Sequence, residues 1–322
     1  MIRTKKFINE NTYSFFTPSN VISLGIIVGV LLTVVFANHF APFDPNKVDI
    51  TQTLLPPSFN HLLGTDNAGR DFFSRLLYGG RLTLLAAFGV TGIATVIGVP
   101  LGLFCGYYGG LLDNIVMRIW DINLAFPTLL LAFIFVACFG CNIGNVVLAL
   151  SIIFLPLTTR FSRSLVLVEK NKTYVEAAKV LGYTNRRIIF RHIFPNCIQS
   201  IAVYLTMLLA NAILDLAALS FLGLGVQPPT ADWGAMLEEN KQYLLTSPLL
   251  AIAPGLMIIL VIVSINILSD GLNMYWDPKQ RKLPKSLARS LKNRKEIPLG
   301  LIGVNGSLSE RATRGRVDVQ NG

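Results

Sequence analysis

Residues 173–197 read TYVEAAKVLGYTNRRIIFRHIFPNC, a polar and basic island between two long apolar runs. Tyr174, Ala177, Ala178 and Leu181 fall at i, i+3, i+4 and i+7, one stripe of a short helix. Gly182 stands where that helix stops and the chain turns. Thr184 is placed to cap a second short helix, which carries Arg186, Arg187 and Arg191 beside Ile188, Ile189 and Ile193. Pro195 marks a break before the next apolar segment. The stretch reads as two short helices around a glycine turn, with an apolar face that a protein partner would cover.

The whole chain has 322 residues, 52% hydrophobic and 14% charged. A soluble domain carries about 25% charged residues, so this composition indicates an all-α integral membrane protein. About 20 apolar residues cross the ~30 Å of hydrocarbon in a bilayer. Runs of that kind predict six spans, at 20–37, 82–104, 119–140, 144–159, 198–220 and 249–269. The first follows a basic start, as a signal peptide would. It ends in bulky Val34, Val35 and Phe36 rather than a small-residue cleavage site, so it is read as a retained span. Pro100, Pro127, Pro156 and Pro254 lie inside spans, where neighbouring helices can satisfy the freed backbone groups. Ala86, Ala87, Gly89 and Gly92 in the second span permit close helix packing.

Charge orients the spans. With six crossings, the amino terminus, the loop near 105–118, the 160–197 loop and the tail share one side, and they hold 23 of the 28 Lys and Arg residues. Lys47, Arg70, Arg75, Arg81 and Lys241 are on the other. Positive residues collect on the cytoplasmic side, so both termini and the 173–197 stretch are expected there. The net charge of +10 is then a topology signal and a contact for anionic lipid, not a nucleic-acid footprint. The organisation expected is a cytoplasmic amino terminus at 1–19, a span at 20–37, and an external loop at 38–81 with an interfacial helix. The core, holding the second to sixth spans, continues over 82–276, with its cytoplasmic loop at about 160–197. The basic tail at 277–322 has no periodicity and reads as partly disordered.

EAAKVLG followed by IIFRHIFPN resembles the EAA loop in membrane subunits of bacterial ABC importers. Glu176, Ala177, Ala178, Gly182, Ile189 and Pro195 match that pattern. Phe194 stands where Leu is usual, and Tyr183 where a small residue is commoner. The resemblance implies a type I importer permease fold. It makes this stretch a coupling helix docked on an ATP-hydrolysing subunit, with Glu176, Ala177, Ala178, Gly182, Arg186 and Pro195 as coupling residues.

Two more stretches carry the resemblance, which covers roughly residues 20–280. HLLGTDNAGRDFFSRLLYGGRLTLL, from His61, is similar to the segment before the second span in the dipeptide, oligopeptide and nickel class of these permeases. In it Gly64, Gly69, Gly79 and Gly80 allow turns, and Asp66, Arg70, Asp71 and Arg75 can pair locally. Phe72, Phe73, Leu76 and Leu77 would form an amphipathic helix at the interface. Arg70 and Asp71 are candidates for an external gate or a binding-protein contact, a simple interfacial anchor being the other reading. ALSFLGLGVQPPTADWGAML, residues 218–237, matches where a span closes into an external loop. Gly223 and Gly225 would end the helix, and Trp233 suits the membrane interface.

Gly64 to Asp71 nearly fits the phosphate-loop pattern, but Arg70 replaces its Lys and Asp71 its hydroxyl. ATP hydrolysis is therefore expected on separate subunits, and the chain is not read as an enzyme. Asp215 falls within the fifth span, where a carboxylate is costly and marks a candidate pore residue, unless a neighbouring helix satisfies it. Asp121 and Arg118 read as an interfacial pair. Cys138 and Cys141 form a lone CxxC, and His39, His61 and His192 are dispersed, so no metal site or cofactor is expected.

The resemblance implies three kinds of protein partner beside the lipid bilayer: a second homologous permease, two cytoplasmic ATPases and an extracytoplasmic solute-binding protein. The expected function is half of an ATP-driven import pore in the bacterial inner membrane, carrying peptides, with nickel or a metal chelate as the alternative. A secondary transporter without ATPases is the reading from a different class. It would need ion-coupling residues and internal repeats, and the sequence shows one intramembrane carboxylate and no repeat.

Overall fold

The computed structural model describes residues 17–276. The tail expected at 277–322 and most of the amino-terminal segment 1–19 lie outside those residues. Among the described residues the chain is almost wholly helical, with one isolated bridge between Thr65 and Asp71.

Helix α1 (Pro18–Val35) opens with Thr17, whose hydroxyl accepts from the Asn20 N–H, and with Pro18 in the first turn. Both are start signals, because the first N–H groups of a helix lack partners inside it. Helix α2 (Phe72–Tyr108) starts ten residues before the expected second span. Asp71 caps it, accepting from the Ser74 N–H at 2.8 Å. The interfacial helix expected near Phe72 is therefore not a separate element. It is the first turns of α2, with Phe72, Leu76 and Leu77 buried. At 37 residues α2 is about 55 Å long, so its two ends extend beyond a ~30 Å hydrocarbon layer.

The third apolar segment departs most from expectation. It forms α3 (Gly110–Leu124) and α4 (Thr128–Phe139), bent by 87° at the break. Pro127 has no N–H to continue a helix and pushes Phe126 out of helical geometry, which accounts for the break. Helix α5 (Ile143–Glu169) runs ten residues past the expected fourth span. The arginines that end the hydropathy signal there do not end the helix. Arg163 forms a bidentate pair with Asp113 of α3 at 2.5 Å, and Arg160 pairs with Asp121. Asp121 thus pairs across helices rather than with Arg118.

After α6 (Thr173–Val180), one 37-residue helix, α7 (Asn185–Phe221), replaces the expected short helix, break and span. Pro195 does not interrupt it. A π-turn at Ile189–Ile193 ends two residues before Pro195, and Phe194 N–H donates to the Ile189 carbonyl across it. A wider turn absorbs a locus at which the regular ladder is disturbed. Helices α8 (Trp233–Asn240) and α9 (Pro248–Trp276) complete the bundle. Among the described residues five helices, or six spans when the bent α3–α4 pair counts as one, are long and apolar enough to cross a membrane.

Close packing of α2 on α5 forms the centre. A Cβ at Gly102 would lie 2.5 Å from the Thr159 carbonyl oxygen, and one at Gly106 would lie 2.8 Å from Val166 Cβ. Glycine lets the two backbones approach where side chains supply no hydrophobic gain over lipid. Gly79 and Gly80, expected in a turn, lie inside α2 and serve the same end. A Cβ at Gly80 would meet the Trp233 ring at 2.5 Å.

Candidate functional site

One end of the bundle is built by 169–201. Val175 and Ala178 of α6 are buried with Ile188, Ile189 and Ile193 of α7, against Val99, Leu103 and Val166. The buried stripe of α6 is thus Val175 and Ala178, and Ala177 and Leu181 face outward. Both stripes are apolar in the sequence, and the fit against α2 and α5 decides which turns inward. The isoleucines expected to await a partner are covered by the chain's own helices.

The turn after α6 has the geometry that Gly182 suggested. Gly182 sits at φ +76°, Tyr183 N–H donates to Ala178 O at 3.1 Å, and Gly182 N–H donates to Lys179 O at 2.9 Å. This pair of bonds is a Schellman cap, which needs a left-handed residue after the helix. Thr184 precedes α7 but makes no capping bond through its side chain.

Side-chain ties fix α6 on the body. Tyr174 donates to Glu169 Oε1 at 2.8 Å, and Tyr107 donates to Asn185 Oδ1 at 2.9 Å. Burial and then the Glu169 bond push the Tyr174 phenol up to about 12, so it remains a neutral donor. Arg187 stacks over Tyr183, whose ring stacks on His192. Facing out are Glu176, Ala177, Lys179, Val180, Leu181, Gly182 and Arg186. Val180 is 88% exposed and Leu181 70%. The surface is apolar at its centre with one carboxylate and arginines at its edge, a composition suited to a protein groove.

The opposite end of α2 carries a buried ionic network. Asp66 accepts from Arg70 Nε at 2.7 Å, and its carboxylate lies 3.3 Å from Arg75 Nε. Glu239 of α8 joins both arginines, at 2.9 Å from Arg70 and 3.0 Å from Arg75. Arg75 also donates to the Pro229 carbonyl. Asp71 pairs with His61 Nδ1 at 2.9 Å while capping α2. Asp66, Arg70, Asp71 and Arg75 are all buried. The network clamps the 41–71 segment onto α2 and α8. Beside it Asp232 caps α8 and accepts from Thr83 at 2.6 Å. Trp233, expected at the membrane interface, is fully buried, and its indole N–H donates to Leu76 O at 2.9 Å.

Comparison with known proteins places this architecture. Residues 98–282 match the family described as the binding-protein-dependent transport system inner membrane component. The chain belongs to that family. Residues 18–57 further match the N-terminal transmembrane domain of oligopeptide transport permease C. The dipeptide transport system permease protein DppC of Escherichia coli K12 is 46% identical over 268 residues, covering 81% of this chain and 89% of that protein. The glutathione transport system permease protein GsiD of Pectobacterium atrosepticum is 42% identical, covering 80% and 86%. The probable D,D-dipeptide permease DdpC of Escherichia coli K12 is 41% identical, covering 82% and 88%. Among solved structures, the inward-facing MetNI methionine ABC transporter aligns with a TM-score of 0.49 at 18% identity, over 63% of this chain and 97% of that one.

In this multi-pass permease the remaining candidates are scattered. Pro195 is exposed on α7 beyond the π-turn. Asp215 is half-buried on α7, 33 positions beyond Gly182. Cys138 and Cys141 are exposed free thiols, and no group of metal-ligating side chains occurs among the described residues. Glu239 is the residue that sequence reasoning missed. Its partners lie 164 and 169 positions away, beyond any local pattern.

Proposed function

We propose that the chain is one of two membrane subunits of an ATP-driven peptide importer. The exposed face of α6 and the following turn would dock it to a cytoplasmic ATPase. The observation that supports this most is the outward surface of Glu176, Ala177, Val180, Leu181, Gly182 and Arg186, held by a Schellman turn and by polar ties to the body. Large apolar side chains left bare at a water-facing end of a bundle mark an interaction site. The excess of Lys and Arg on the loops sharing that end supports a cytoplasmic position, with both termini on that side. ATP hydrolysis then belongs to two partner subunits, and solute delivery to an extracytoplasmic binding protein.

Coupling follows as differential binding. The ATPases bind α6 in two arrangements as they close and reopen. Val175 and Ala178 of α6 share a buried cluster with Ile188, Ile189 and Ile193 at the start of α7, so a tilt of α6 reaches both α5 and α7. Pro195 and the π-turn give α7 a compliant point close to the docking surface. At the other end, Arg70 and Asp71 sit in the clamp on α8 and are proposed to hold the external mouth in shape while the spans tilt. Peptide is the proposed cargo, since the relatives are dipeptide and glutathione permeases. The same architecture would serve a nickel chelate, which is the second reading.

The test is co-expression of this permease with a second permease, two ATPases and a binding protein, followed by purification and radiolabelled dipeptide uptake. Wild type retains the ATPases and takes up peptide. Gly182→Asp inserts in the membrane at a normal level and loses uptake. Normal uptake by that variant would sink the coupling role of this turn.

A further inference from the structure

Helix α7 has one face that the chain itself leaves uncovered. Over residues 207–222, Leu208, Ala212, Ile213, Leu216, Ala217 and Leu219 are buried. The bare stripe is Met207, Asn211, Leu214, Phe221 and Leu222, with half-buried Asp215 and Ala218 within it. At 100° per residue these positions fall within one arc of about 120°. The arc is not uniform. Met207, Leu214 and Phe221 lie along one edge, and Asn211 and Asp215 lie along the other.

Asp215 makes no hydrogen bond or ion pair among the described residues. An aspartate turned toward lipid within a span is costly, so the polar edge calls for water or a cation opposite it. The apolar edge has no such need and suits lipid or a neighbouring apolar helix. Asp215 lies six residues, about 9 Å, from the end of α7 that meets α8. That end is the one where the external clamp sits, opposite the α6 docking surface. A solute entering from that mouth meets Asp215 early.

We propose that Asp215, with Asn211 beside it, lines the translocation path and holds the primary ammonium group of the passing cargo. This rests on the peptide-importer reading, since an unblocked peptide carries such a cation at its amino end. A single carboxylate with one neutral amide partner suits a transit site. Binding must be strong enough to admit the solute and weak enough to release it.

The experiment uses the complete complex with its binding protein. Asp215→Asn is compared with Asp215→Glu in dialanine uptake. In parallel, Ala218→Cys, in a chain whose Cys138 and Cys141 are serine, is treated with a cationic, water-soluble thiol reagent. Expected are at least a ~10-fold loss of uptake in Asp215→Asn and recovery to within ~3-fold in Asp215→Glu. Asp215→Asn keeps normal subunit stoichiometry and normal ATPase stimulation by empty binding protein, but loses the extra stimulation by loaded binding protein. Ala218→Cys reacts, and loaded binding protein slows the reaction.

Wild-type rates in Asp215→Asn overturn the proposal. So does loss of the second permease from that variant, which would make Asp215 a subunit contact. An unreactive Ala218→Cys shows that the face is covered and overturns it as well. If wild type takes up no dialanine, the peptide reading fails and the ammonium assignment goes with it, while the labelling still decides whether this face lines the path.

Discussion

At the scale of single residues, Gly182 separates two kinds of effect. A Cβ there meets nothing within 4 Å, so space is not the constraint. The constraint is its φ of +76°, which costs an ordinary residue roughly 1–2 kcal/mol and Asn less. Gly182→Asn, which unlike Gly182→Asp brings no charge into the docking face, is therefore expected to retain most uptake, and Gly182→Val to lose most of it, at equal membrane abundance. Equal uptake by the two would show that the left-handed conformation is not what matters. Gly102 is the opposite case. Its conformation is ordinary, and the Thr159 backbone oxygen occupies the space a side chain would need. Gly102→Leu forces α2 and α5 apart, and thermal unfolding in detergent is expected to fall by several degrees. The sequence showed both glycines, and for Gly182 it also showed the role, because a C-cap is a local device. It could not show that Gly80 packs on Trp233, since those residues are 153 positions apart.

At the scale of elements, hydropathy found the five long apolar helices and misplaced most of their ends. Charged residues close a hydropathy window, yet helices continue through them when the charges find partners. Arg75 in α2 and Arg160 and Arg163 in α5 each have a carboxylate from another element. The same blindness hid Glu239. Removing one member of a buried ionic network leaves the others uncompensated and costs about 3–5 kcal/mol. For Glu239→Ala the stranded groups are Arg70 and Arg75. The segment they hold carries Lys47 in its exposed part. Glu239→Ala is expected to make Lys47 several-fold more sensitive to trypsin, with the spans intact. Unchanged cleavage would mean that the segment is held without the clamp. The bend between α3 and α4 was legible only in part. Pro127 was visible, but proline is tolerated within other spans here, and the sequence does not say which one breaks its helix.

At the scale of the whole molecule, stability and partner binding are separable. The bundle buries Val175, Ala178 and the three isoleucines of α7 for its own cohesion. It leaves Val180 and Leu181 bare. A side chain exposed in the isolated chain contributes little to its folding, and surface changes usually stay within ±0.5 kcal/mol. Buried at an interface, the same two side chains are worth about 1.5–3 kcal/mol each. The double change Val180→Asp with Leu181→Asp should therefore leave the melting temperature of the purified permease within about a degree. It should also lose the ATPases on co-purification, since two charges would be buried without partners. Val175→Asp should do the reverse at first sight, lowering stability, and lose the ATPases only as a consequence. A double variant that melts early and still retains its ATPases would place the docking surface elsewhere. In that case the exposed face of α6 would be packing for a neighbouring subunit, and Arg186 and Arg191 of α7 would become the next residues to test.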